Sequence, residues 1–333
     1  MKNALVISII FVLLTSCGKE DHFFLQSDGA DMPLTVAGNT SSRIFILFLH
    51  GGPGNGAFVW REHFQKLEKK FAMVYWDQRA AGSAQGNAQP ASMTVQAMVR
   101  DTHKVVTLIN HLYDHPAIYL MGHSWGGLLG TAYLIQYPAE AKGWIEVDGA
   151  HNKVQSADLS KKWVMDNAMA EIEKGVDTQF WKEALHWYEQ SNGPLTYSSK
   201  HYTTYLPAAH AYFYKSDYSY YGLSDFLFGS PNGFDILLNG KFSDQQLEQE
   251  IVSTDLTPFM AKITIPSLIC WGRHDGAIPY QMAQDAYDAL GTAESLKTIV
   301  HFEESAHSPM IEENQLFCSM VIDFVERVER QTH

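Results

Sequence analysis

The sequence predicts an α/β fold, a mostly parallel sheet flanked by helices and interrupted by an inserted helical cap. Two observations carry this. Short apolar runs alternate with helical patterns along most of the chain, the mark of parallel strands buried on both faces. That alternation stops at about Gly149 and returns at about Ile265, which sets the limits of the insertion.

Phe23 to Gln26 and Leu34 to Val36, split by Ser27-Asp28-Gly29, read as an opening hairpin. Ile44 to Leu49 reads as a buried strand, Trp60 to Lys69 as an amphipathic helix and Ala72 to Trp76 as the next strand. Thr94 to Tyr113 places Val95, Met98, Val105, Leu108, Ile109 and Leu112 at helical spacing. A strand at Ala117 to Met121, a helix at Leu128 to Tyr137 and a strand at Gly143 to Val147 follow, and the cap is expected after the sixth or so strand. It holds helical patterns at Trp163 to Lys174 and Thr178 to Gln190, then an aromatic stretch from His201 to Phe228 with tyrosines at 202, 205, 212, 214, 218, 220 and 221. That stretch suits either an apolar pocket or the cap's own core. Strand Ser267 to Trp271, helix Met282 to Leu290, strand Leu296 to Phe302 and helix Asn314 to Arg330 complete the sheet.

The expected organisation is therefore a leader at 1–16, a tether at 17–22, core at 23–149 and 261–333, and cap at 150–260. Lys2 followed by the mostly apolar run Ala4 to Leu14 is too short to span a membrane and fits a secretory signal. Leu14-Thr15-Ser16-Cys17 resembles the lipobox of bacterial lipoproteins, which implies lipidation of Cys17, export and a membrane anchor at the outer membrane or cell surface. An ordinary signal peptide with an incidental cysteine is the alternative. The net charge of −13 argues against nucleic acid or an anionic membrane surface as a partner. Cys270 and Cys318 lie in apolar runs, as buried free thiols do, and the 15 histidines have no metal-ligand spacing.

Gly122-His123-Ser124-Trp125-Gly126-Gly127 fits Gly-x-Ser-x-Gly between a strand and a helix, the turn that lifts a serine hydroxyl clear of the backbone. With Ser124 as nucleophile, an acid and then a histidine are expected after later strands. Asp275, in Gly272-Arg273-His274-Asp275-Gly276, takes the acid's place, with Asp148 at the end of Gly143 to Val147 as its rival. His307 takes the base's place. His301 falls within a strand's apolar alternation, and His274 suits a turn cap. His50-Gly51-Gly52-Pro53-Gly54 leaves backbone N–H groups uncovered, so Gly52 and Trp125 are the expected oxyanion donors. A phosphate loop is excluded, since neither Gly-Lys-Ser/Thr nor Gly-x-Gly-x-x-Gly is present.

These motifs, with Trp76-Asp77-Gln78-Arg79, resemble the prolyl aminopeptidase (proline iminopeptidase)-like branch of the α/β-hydrolases over residues 22 to 330, poorly in the cap. The resemblance implies an α/β-hydrolase fold, no metal or other cofactor, release of small N-terminal residues from peptides, and glutamates near the cap that bind the free amine. It implies structural roles for Asp77 and Arg79. Ala80 stands where the family usually has glycine, and Gly276 where some members carry an amine-binding glutamate. Glu189, in His186-Trp187-Tyr188-Glu189, loosely matches a cap glutamate, with a solvated helix face as the alternative. A carboxylesterase on small esters, or an inactive surface-binding relative, is the competing function.

Overall fold

The computed structural model describes residues 20–86, 88–215 and 233–331. Nine strands among them form one sheet: β1 (Asp21–Ser27), β2 (Ala30–Gly38), β3 (Ile44–Leu49), β4 (Ala72–Trp76), β5 (Gln85–Gly86), β6 (Ala117–His123), β7 (Gly143–Val147), β8 (Ser267–Gly272) and β9 (Lys297–Phe302). Their order is β1-β2-β4-β3-β6-β7-β8-β9, with β5 on the edge of β2. The sheet is parallel from β4 through β9, whereas β2 runs antiparallel to both β1 and β4. The opening hairpin turns on Asp28 (φ 48°) and Gly29 (φ 83°). An Asp-Gly pair with both φ values positive is the two-residue turn that matches strand twist.

The central strands are apolar along their whole length because helices cover both faces. Ile44–Leu49 and Ala72–Trp76 divide their side chains between two separate buried clusters, one on each face. Helices α1 (Arg61–Glu68), α2 (Val95–Leu112) and α3 (Trp125–Gln136) follow strands as expected, and Thr94 caps α2 by accepting the Ala97 N–H at 3.1 Å. Between β7 and β8 lie α4 (Lys153–Lys174), α5 (Thr178–Gln190) and α6 (Gly233–Ile251); α7 (Gln281–Ala289) and α8 (Asn314–Gln331) complete the core. The insertion follows the seventh strand because the two-residue β5 counts as one. Helix α4 begins ten residues before the stretch that periodicity marks. Lys153 to Lys162 is mostly polar and shows little apolar repeat, but Asn152 caps it by accepting the Gln155 N–H. Cys270 and Cys318 are buried and free. Cys17 and Tyr218, Tyr220 and Tyr221 lie outside the described residues.

Two buried polar clusters fix the cap to the core. In the first, Ser160 donates to the Gly276 carbonyl (2.5 Å), so its oxygen accepts from His201 Nε2 (3.0 Å), and His201 Nδ1 accepts from the Tyr188 hydroxyl (2.6 Å). Burial and the nearby Lys153 and Lys161 lower the His201 pKa to about 3, in keeping with this neutral tautomer. In the second, His151 holds Glu146 (2.8 Å) on Nδ1 and Asp285 (3.0 Å) on Nε2. Burial pulls the His151 pKa down. The charge on Glu146 and the hydrogen bonds to Asp285 and Glu146 outweigh it, raising the value to about 9.

A folded-state pKa above the unfolded value of about 6.5 means that this cluster stabilises fully below pH 6.5 and loses its effect as pH rises through 9. The contribution is on the order of 3 kcal/mol. Chemical unfolding at pH 6 and pH 10 is expected to show a wild-type advantage over His151→Asn at pH 6 that shrinks by about that amount at pH 10. A pH-independent difference contradicts this charge assignment.

Candidate active site

Ser124 sits between β6 and α3 at φ 55°, ψ −117°, strained for a residue with a Cβ. Its surroundings explain both glycines of the pattern. A Cβ on Gly126 would overlap the Leu49 carbonyl, and one on Gly122 the Gly126 carbonyl. The strand and helix therefore pass closely enough to hold the serine in that turn. Its N–H donates to the Val147 carbonyl and its carbonyl accepts from Ala150 N–H, both at 3.0 Å.

Asp275 and His307, the expected acid and base, lie on the loops that follow β8 and β9. Asp275 is fully buried; Oδ1 accepts the N–H groups of Ala277 (2.8 Å) and Ile278 (2.9 Å), and Oδ2 lies 2.7 Å from His307 Nδ1. The His307 loop is pinned by Glu312, which accepts the Ala306 N–H (2.7 Å), and by Glu313, which accepts the Ser305 hydroxyl (2.7 Å). His123 Nε2 donates to the His307 carbonyl at 2.8 Å, and burial and His307 keep its pKa far down, so it serves as a neutral strut. Ser124, His307 and Gly52 line one cavity of about 280 Å³.

Asp148, the rival for the acid's place, lies beside Asp275. Its Oδ1 accepts the Gly272 N–H (2.9 Å), and its carboxyl, Asp275 and His307 have one polar atom each within 4.8 Å of one another. Burial and the neighbouring Asp275 push the Asp148 pKa well above that of a free carboxyl, which favours its protonated form beside the Asp275 carboxylate. His274 stacks on Tyr214 at 3.8 Å and His301 remains in β9, both outside the cavity lining.

The two expected oxyanion donors lie on adjacent turns. Trp125 opens α3, so its N–H has no intrahelical acceptor. Gly52, at φ 42°, lines the cavity. Gln78 joins these turns: its Oε1 accepts Trp125 Nε1 (2.8 Å), its side-chain amide donates to the His50 carbonyl (3.3 Å), and its N–H donates to His50 Nε2 (3.3 Å). The Asp-Gln-Arg segment is held from both sides. Asp77 accepts the N–H groups of Ala57 (2.6 Å) and Ser83 (2.8 Å), and Arg79 forms a buried two-pronged pair with Asp101 (2.7 and 3.0 Å). Ala80 adopts φ 51°, the left-handed conformation that glycine takes without strain.

The structure does not bring Glu189 to this cavity: its side chain is 68% exposed on α5 and lies 3.6 Å from His186. Nor does the position after the acid have room for a glutamate, since a Cβ on Gly276 would fall 2.5 Å from Trp163 and 2.7 Å from the Ala211 Cβ. The charged groups that do line the cavity, Lys153 and Asp244, carry no local sequence motif.

Fold and site together define the class. Residues 44–314 match the model of the α/β hydrolase fold family, and the chain belongs to that family. It is 27% identical to the probable aminopeptidase YbaC of Bacillus subtilis, over 86% of this chain and 90% of that one. It is 23% identical to the pimeloyl-[acyl-carrier protein] methyl ester esterase of Vibrio campbellii, over 84% and 93% of the respective chains. Among solved structures, the proline iminopeptidase of Mycobacterium smegmatis superposes with a TM-score of 0.68 at 15% identity, covering 94% of this chain and 100% of that one, a likeness of fold.

Proposed function

We propose that this protein is a serine hydrolase working through an acyl-enzyme, and that it releases the N-terminal residue of short peptides. The observation that carries the reading is the 2.7 Å contact between His307 and buried Asp275, on a cavity shared with a strained Ser124. In this mechanism Ser124 Oγ bonds to the substrate carbonyl carbon while His307 Nε2 takes its proton. Asp275 holds Nδ1–H and offsets the imidazolium charge. The Trp125 and Gly52 N–H groups receive the oxyanion. The C–N bond then breaks as His307 returns the proton to the leaving amine, and water, deprotonated by the same histidine, releases the acid and restores Ser124.

A peptidase that removes N-terminal residues needs an anion for the substrate ammonium, and Asp244 supplies one in the cavity. Burial and Glu248 raise its pKa to about 6, so it is ionised at neutral pH. The resemblance of Leu14 to Cys17 to a lipobox supports anchorage through Cys17 as part of this proposal.

The expected result is turnover of aminoacyl-naphthylamides, with kcat/KM falling at least ~10-fold when the substrate amine is acetylated. Turnover of nitrophenyl esters alone, or indifference to acetylation, would overturn the aminopeptidase reading.

A further inference from the structure

Lys153 is a buried cation with no ion-pair partner among the described residues. Only 3% exposed, it stands in the first turn of α4, with its backbone N–H fixed to the Thr254 carbonyl at 2.8 Å. Its ammonium donates to the Tyr202 hydroxyl at 2.6 Å and lies 4.9 Å and 5.8 Å from the ring centres of Tyr202 and Tyr197. Among the described residues no carboxylate lies within 4.0 Å of Nζ. A buried charge so placed is costly unless something pairs with it. The missing partner has access, because Lys153, Tyr202 and Tyr197 line the same cavity as Ser124 and His307.

We propose that Lys153 and Tyr202 form an anion subsite that takes the C-terminal carboxylate of the substrate, so that the preferred substrate is a dipeptide or similarly short peptide with both termini free. The inference rests on the peptidase reading above and sharpens it. Lys153 donates to the Tyr202 oxygen, which leaves the Tyr202 O–H free to donate to the incoming carboxylate beside the ammonium. Asp244 lines the same cavity without forming an ion pair with Lys153, and would take the substrate ammonium. Two fixed charges of opposite sign suit a zwitterion and disfavour a long peptide, whose C-terminus lies outside the cavity. The aromatic rings lower the cost of the empty ammonium by cation–π attraction.

The test compares Ala-Gly with Ala-Gly amide, then repeats both with Lys153→Met and Lys153→Arg. The expected result is a kcat/KM at least ~10-fold higher for the free acid in the wild type, a ratio near one in Lys153→Met, and a preference for the acid retained in Lys153→Arg. No preference in the wild type, or a preference that survives in Lys153→Met, overturns the subsite. The wild-type comparison stands even if a variant fails to fold. If neither peptide is cleaved, the peptidase reading has failed, and the subsite is tested with nitrophenyl hemisuccinate against nitrophenyl butyrate. A Lys153-dependent preference for the hemisuccinate supports the subsite on its own, and equal rates overturn it.

Discussion

Replacing Ser124 by alanine is expected to lower kcat by roughly 10⁴–10⁶-fold while the protein remains folded. The alanine Cβ adopts the same strained φ, and the close contacts of Gly122 and Gly126 that build the turn are untouched. Only the atom that forms the acyl bond is lost. Water attack aided by the oxyanion donors is the residual route, so a small rate above background persists. Steady-state turnover together with a thermal melt checks both halves. A variant that melts like the wild type yet keeps a tenth of its activity rules out Ser124 as the nucleophile.

Asp275→Asn carries the second largest effect, a fall in kcat of about 10⁴-fold. Oδ1 accepts two backbone N–H groups and Oδ2 faces His307 Nδ1. An asparagine in this place keeps its oxygen on the backbone donors and turns its amide toward His307, which forces the proton onto Nε2. The imidazole then cannot accept from Ser124. Asp148 does not substitute, because its bound oxygen is committed to the Gly272 N–H. Kinetics of Asp275→Asn beside Asp148→Asn separate the two carboxylates. An Asp148→Asn loss as large as that of Asp275→Asn would make Asp148 an equal member of the site.

The hydrolase core was legible in the sequence because its signals are local. Strands β3, β4 and β7 begin and end where their apolar runs do, and the glycines around Ser124 mark a turn whose crowding needs them. Asp275 and His307 stand out in the sequence because each follows a strand by a few residues, and the structure places them 2.7 Å apart. The cap was legible only in part. Helix α5 is marked by its periodicity, whereas the start of α4 is not, since the residues it buries there are Lys153, Ser156 and Ser160. Lys153 and Asp244 lie in helices far apart in the chain and meet only through packing, so no spacing rule finds them. Glu189 drew notice from its tryptophan-rich neighbourhood and lies on the solvent side of its helix. Gln78 is visible in its motif but not its role, because joining His50 to Trp125 depends on two loops brought together by the sheet.

Covalent trapping of the nucleophile tests the central claim most directly. Folded protein treated with a fluorophosphonate probe and mapped by peptide mass spectrometry is predicted to carry one adduct, on Ser124, that is absent from Ser124→Ala and forms slowly in Asp275→Asn. Folded wild-type protein that takes up no probe, or an adduct that persists in Ser124→Ala, would contradict it.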